Sequence, residues 1–560
     1  MQIVVGICLC ISFINFIRRK KQVSHQLVSK RKGHPKINVV VGIILVCFAV
    51  FTRLYKIEEL LNGLHVDEVG MGYDAFCIAN YGVDRYLHHF PVYMINFGGG
   101  QSALYTYLAA IMVKILGLNT LAIRLPGVIL SLTSILAGFF LIQKMHGVRW
   151  GFVFMLLMII CPWHVMQSRF GLDCNLLSSM IMISITLLVV SKKWWQYILA
   201  GVSFGITLYT YALSYIILPV FLLFSSSYML YVKKARWKNI LFMAIPIVIL
   251  AIPLICMLLV NMGYLEQIDG AISILKLPDF RTGELNFNNI WGNLGQFFTI
   301  LTAGSFVYNA IPQFGTIYLF AIPLAIVGIG IAIKDTVISI QKRKFSISCI
   351  FLFLWLANMV LMLLTSVNVN KINSIYIALL YFIFLSLKNL YHYFKIGFVG
   401  ISILYLVVAI CFFQYYFCQY EKDYPQIDLV NEDVIPLSRE IQKLDKNKTV
   451  YMHLNIHQPW IYVLYALQIS PYEFNEGKRE NTIDGWNNNY AFGRYEFELP
   501  KGVQDNSIYV ICEEDAEEEV KSFIQELEEK EYQVEHYGRY DIYYENNHYV
   551  SMIFEYFTKK

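Results

Sequence analysis

The sequence predicts a polytopic α-helical membrane protein of about twelve spans that carries an α/β domain at its C-terminal end, and three observations predict it. Of 560 residues, 57% are hydrophobic and only 15% are charged, with a mean hydropathy of +0.51, which excludes an ordinary soluble enzyme. Lysine and arginine gather in short clusters between apolar runs, so they set orientation more than the net charge of +5 does. From about residue 420 the apolar runs give way to the composition of a soluble domain.

The first stretch, MQIVVGICLCISFINFIRRKK, lacks the basic start and small-residue cleavage site of a signal peptide and reads as a short span. Its apolar part covers about 15 residues, or roughly 22 Å of helix, thin for a bilayer. The basic segment 18–36 is cytoplasmic by the positive-inside bias, so 37–55 runs outward and the loop 56–121 is extracytoplasmic. The apolar stretch 102–117 reads as an interfacial helix, with the next crossing at 122–142. Further spans follow near 150–164, 174–190, 196–212, 214–232, 239–260, 315–333, 346–366, 374–387 and 396–416. On that reading the inner loops downstream hold fourteen basic residues, while the outer segments after Arg124 and before the tail hold four: Arg169, Lys276, Arg281 and Lys371. If 102–117 crossed the membrane, the ratio would invert. Both termini then lie outside, and the chain divides into 1–36, a membrane domain 37–419 and an outer α/β domain 420–560.

In that last domain TVYMHL, SIYVIC and the Tyr-rich run 532–557 read as strands. EEDAEEEVKSFIQELEEKEY places Val520, Phe523, Ile524 and Leu527 at helical spacing, and its acids read as a solvated face. The eleven cysteines, none in a CxxC pair, suggest neither a disulfide framework nor a zinc ribbon.

Chemistry concentrates in the outer loop. Asp67 and Glu68 follow a span directly, with Asp74 and Asp84 close behind. Carboxylates beside hydrocarbon lose solvation, so acids kept there point to function. Adjacent residues on a helix project about 100° apart, so Asp67 and Glu68 cannot do one job. Their competing structural role is to cap a helix N-terminus, worth about 0.3–1 kcal/mol.

The segments RLYKIEELLNGLHVDEVGMGYDA, YGVDRYLHHFPVY, GLNTLAIRLPG and CPWHVMQSRFGLDCN together resemble the lipid-carrier-dependent glycosyltransferases of the GT-C fold, in particular glycosyltransferase family 39, which includes protein O-mannosyltransferases and aminoarabinose transferases. The likeness covers residues 37–416 in architecture, with specific motifs in the first third. It departs at Gln101-Ser102, where many relatives carry Lys-Pro, and at Asp173, where glutamate is common.

The resemblance implies an inverting transfer of a monosaccharide from a polyprenyl-phosphate carrier to an extracytoplasmic acceptor at the cell membrane: a protein, a cell-wall polymer or a glycolipid. It implies Asp67 as general base, Glu68 as its orienting partner or the acceptor's, and Asp173 in the cavity. Arg169, four residues before Asp173, is either the donor-phosphate contact or its helical ion-pair partner. Lys371, in VNVNKIN, is the second phosphate candidate. Arg124 and Arg53, near outer ends of spans, are further substrate contacts or interface anchors. Tyr73, Tyr86, Tyr93, Trp163 and Trp291 either stack on sugars or anchor at the interface, and Asp84 and His164 join the substrate-binding set. His65 and His164 with the acids, or His453 and His457, leave a divalent metal open without supplying a complete ligand set. The bilayer and the lipid-linked donor are the expected partners, and nucleic acid is not among them. Two other classes compete. A flippase of lipid-linked sugars calls for charges deep in the spans, and a non-catalytic glycan sensor calls for a tail that binds alone.

Overall fold

The computed structural model describes residues 4–9, 11–12, 35–97, 99–280, 290–302, 308–366, 368–424, 429–431, 433–480, 490–513 and 517–545. Residues 18–34 of the basic segment, Arg281 and residues 546–557 of the Tyr-rich run lie outside them.

Apolar runs become helices at the expected places because a bilayer leaves backbone groups no partners but their own. Among the described residues eight helices are long and apolar enough to cross, including Lys36–Leu54, Thr120–His146, Trp237–Asn261 and Lys395–Cys418. Of the other predicted spans, three are shorter helices, Val148–Ile160, Asn175–Val190 and Trp194–Thr207, and the first is helical at residues 4–9 and 11–12. Val148–Ile160 resumes after Cys161 as Pro162–Gln167, with proline in the first turn where no intrahelical donor is lost. The stretch after Ser102 forms Ala103–Leu116, whose 14 residues give about 21 Å, short of the roughly 30 Å of a hydrocarbon core. It packs on the helix Val66–Tyr81 and leaves Ile111, Ile115 and Leu116 exposed.

Helix Ile322–Lys342 lies against Ile375–Tyr393, and Gly328 sits at their contact. A Cβ there would strike the carbonyl oxygen of Phe382, which is backbone and cannot swing aside, whereas a Cβ on Gly330 meets open space. Small residues let helix backbones approach in this way. Gly328→Ala is therefore expected to destabilise by about 1–3 kcal/mol and to lower the melting temperature of the detergent-purified chain, with Gly330→Ala unchanged. Equal melting of the two variants would refute the close contact.

The C-terminal part is built on a five-stranded sheet in the order Gln533–Tyr537, Tyr540–Tyr544, Ser507–Cys512, Thr449–His453, Tyr495–Glu496. The central pair is parallel, with Val450 opposite Ile508 and Met452 opposite Val510, and the outer hairpin is antiparallel. Helix Glu518–Glu529 buries Val520, Phe523 and Leu527 as its spacing predicts, against Tyr509, Ile511 and Tyr543.

The opposite sheet face carries Val434–Ile441 and Pro459–Leu467 and shares one apolar core with the outer loop: Val69, Tyr73 and Tyr105 belong to it along with Val450, Trp460 and Val510. Backbone pairing joins the two parts as well. Leu64 and His65 pair antiparallel with Asn431 and Val430, and the Val66 amide donates to the Leu429 carbonyl at 2.8 Å. The loop and the tail domain therefore fold as one body.

Candidate functional site

The site is organised by the start of helix Val66–Tyr81. His65 is its N-cap, and its Nδ1 accepts from the Asp67 amide at 3.1 Å. Glu68, three residues on, accepts from the His65 amide at 3.2 Å, which completes a capping box. The structural role weighed against catalysis is thus real for Glu68. Its carboxylate also grips Arg124, from Nε to Oε1 and from Nη2 to Oε2, each at 2.9 Å, and accepts from the Gly171 amide at 2.7 Å. Arg124 spends its remaining reach on the carbonyls of Ile57, Leu60 and Gly63. Both side chains are buried, and these contacts leave Arg124 turned to the scaffold instead of to a substrate.

Asp67 differs. Its side chain keeps 34% of its surface, and Oδ1 accepts from Asn96 Nδ2 at 3.0 Å. Asn96 ends the strand Tyr93–Asn96, which pairs with Gly99–Ser102 in a hairpin. Arg85 lies beside Asn96 (Nη2 to Oδ1 3.4 Å) and is clamped by Asp74 through Nε at 2.9 Å and Nη2 at 2.7 Å. The hairpin approaches the helix at Gly70, where a Cβ would meet Arg85, Asn96 and Phe97. A chain Asp74–Arg85–Asn96–Asp67 results, and its two middle members were not among the expected site residues. Asn96 carries no charge, and the signal for Arg85 was only its place beside Asp84 in the acidic loop.

Asp173 comes to the same place from the loop after Pro162–Gln167. Oδ2 accepts from the Ser102 amide at 3.0 Å and Oδ1 from the Cys174 amide at 2.7 Å. Burial, with the charge of Asp67 nearby, outweighs these donors and pushes its carboxyl up to about 7. The folded-state value stands above the ordinary one, so the protonated form carries the stability: it is present in full below about pH 4 and lost as the pH rises through about 7. Melting of the wild type should fall between about pH 5 and pH 8, and Asp173→Asn should flatten that fall. An unchanged slope in the variant would place the titration elsewhere.

Arg169 and Asp173 are not joined as a helical ion pair, because the helix ends at Gln167. Arg169 donates instead to the carbonyls of Thr52 (3.2 Å) and Lys56 (3.0 Å), and its guanidinium lies over the Tyr416 and Phe417 rings. Arg53 donates to the carbonyls of Ile159 and Met158 and contacts His164 Nδ1 at 2.9 Å. The two guanidiniums repel each other, each has a buried Nε without a partner, and among the described residues neither touches a carboxylate. Burial lowers the Arg169 pKa from its ordinary value. Lys371 lies half-buried in the turn after Asn368, whose Oδ1 takes its amide at 2.9 Å.

Most of the remaining expected residues make contacts within the protein. Tyr73 donates from its hydroxyl to the Ile469 carbonyl at 2.7 Å, pinning the helix to the tail domain. Asp84 accepts from the Tyr86 and His88 amides and pairs with the His88 ring, closing a turn. Trp163 stacks on Tyr376 and donates to Asn373, and His164 is held between Arg53 and Ser134. Tyr86 lies half-buried against Tyr490 and the Lys478 ammonium, Tyr93 stands in the hairpin, and Trp291 is 85% exposed. The metal left open by the histidines does not fit: among the described residues no three His, Cys, Asp or Glu side chains gather as a ligand group.

No family model matches the chain, and no curated protein matches it. Solved structures do. The crystal structure of ArnT from Cupriavidus metallidurans bound to undecaprenyl phosphate aligns with 91% of this chain and 98% of that one, at 11% identity and a TM-score of 0.52. The apo state of the same protein aligns with 91% and 97%, at 12% identity and a TM-score of 0.50. Identity this low carries the architecture alone, and the chain is accordingly a multi-pass membrane protein of the GT-C fold.

Proposed function

We propose that the chain is an inverting glycosyltransferase that moves one monosaccharide from a polyprenyl-phosphate carrier to an extracytoplasmic acceptor. The observation that carries this reading is Asp67, a partly exposed carboxylate positioned by Asn96, with Asp173 within electrostatic reach, on a GT-C scaffold. Asp67 takes the proton of the acceptor hydroxyl as its oxygen bonds to the anomeric carbon. The bond from that carbon to the phosphate oxygen breaks on the far side, and the polyprenyl phosphate leaves with the electron pair. Arg169 receives that charge: it is a buried cation that touches no carboxylate among the described residues, so an arriving phosphate supplies the counter-charge. Lys371 is the second phosphate contact, and Asp173 holds the hairpin at Ser102 beside the base.

The core shared by the tail and the outer loop supports placing both on one side of the membrane, and the lysines and arginines clustered in the opposite loops support an extracytoplasmic assignment of that side. The test is mass spectrometry of extracytoplasmic glycoconjugates from cells with and without this chain. The loss of one monosaccharide mass from a glycoconjugate is the expected result. Flux of a lipid-linked sugar across vesicles without any product would favour the flippase instead.

A further inference from the structure

A cavity of about 1280 Å³ lies wholly within the tail domain and shares no residue with the Asp67 site. Its position follows from topology. The strands Thr449–His453 and Ser507–Cys512 are neighbours and parallel. After the first, the chain turns to helix Pro459–Leu467 on the sheet face of Val450 and Met452. After the second, it turns to helix Glu518–Glu529 on the face of Tyr451, Tyr509 and Ile511. Two successors that depart on opposite faces part the carboxyl ends of their strands and open a crevice, the place where open α/β sheets bind ligands. The cavity occupies that crevice: residues 453–459 line it from one strand, Glu517 and Phe523 from the other, and residues 497–501 close its side.

The lining chemistry selects the ligand. A crevice at a helix N-terminus ordinarily receives phosphate, drawn by free amides and the helix dipole. Here Glu517 is the N-cap, Glu519 follows in the first turn, and Glu498 adds a third carboxylate against the single ammonium of Lys501. An anion is therefore repelled. The loop above the first strand turns through left-handed backbone at Asn455 (φ +48°) and Gln458 (φ +53°) and brings two amide side chains to the cavity wall. Burial holds the ring of His453, which faces Glu517, toward its neutral form. The Gln458 carbonyl oxygen already takes the Trp460 indole N–H, so the polar contacts that face a ligand come from the Glu517 and Glu519 carboxylates, which accept from hydroxyls, and the Phe497 and Phe523 rings give apolar wall area.

We propose that this crevice is a binding site for a saccharide that carries no phosphate or carboxylate, a neutral or amino sugar. It stands independently of the reaction assigned to Asp67. The experiment is ligand-observed saturation-transfer NMR on the full-length, detergent-solubilised chain with glucosamine, N-acetylglucosamine and chitobiose, and with glucosamine phosphate as the anionic counterpart. At least one of the three uncharged or amine-bearing sugars binds, more tightly than the phosphate. Glu517→Gln and His453→Gln each weaken that binding by about tenfold, while Asp67→Asn leaves it intact. Glu517 is exposed and its replacement isosteric, so this variant decides the matter if His453→Gln fails to fold. Absence of binding for all three sugars, tighter binding of glucosamine phosphate, or undiminished binding in Glu517→Gln would each overturn the proposal.

Discussion

Asp67→Asn is expected to lower the turnover of sugar transfer by about a thousandfold while donor affinity and melting temperature stay at wild-type values. The amide is isosteric with the carboxylate, and its oxygen still accepts from Asn96, so the hairpin and the helix start keep their places. What the variant removes is the proposed base, which would act only as the acceptor hydroxyl attacks, so the effect is expected on kcat instead of KM. A second readout separates this from a structural defect. The charge of Asp67 contributes to the raised pKa of Asp173, so in Asp67→Asn the pH at which Asp173 titrates moves down toward the ordinary carboxyl range. Asn96→Ala, which frees the carboxylate without removing it, produces a smaller loss, about tenfold. Full turnover in Asp67→Asn would end the assignment of this residue as base.

The membrane helices were legible because their signal is local: long apolar runs broken by basic clusters need no knowledge of partners. The acid pair was legible as important for the same reason, and the family motifs placed it in a GT-C scaffold that the solved structures bear out. What the sequence withheld is pairing across distance. Glu68 and Arg124 stand 56 residues apart and Asn96 and Asp67 stand 29 apart, and no periodicity relates them. Arg169 and Asp173 have helical spacing, yet the helix stops at Gln167 and sends one to carbonyls at and just beyond the end of helix Lys36–Leu54 and the other to the hairpin. The junction of tail and loop was hidden too. The strands that make it, Leu64–His65 and Val430–Asn431, are two residues long, too short to show alternation.

Glu68→Ala is expected to cost about 3–5 kcal/mol of stability, more than Gly328→Ala, because it leaves the Arg124 guanidinium buried and uncompensated. The pair ties together four segments. Arg124, from the helix Thr120–His146, holds the carbonyls of Ile57, Leu60 and Gly63, while Glu68 holds the N-cap of Val66–Tyr81 and the Gly171 amide. Arg124→Met has a similar cost, since Glu68 then keeps its burial with two donors in place of four. The double variant loses less than the sum of the two singles, because the cost of each single change is the stranded partner. The measurement is the melting temperature of the four purified proteins in one detergent, with transfer assayed alongside. Glu68→Ala should lower melting and transfer together, where Asp67→Asn lowers transfer alone. A Glu68→Ala protein that melts with the wild type and has lost transfer would move Glu68 out of the scaffold and into the reaction.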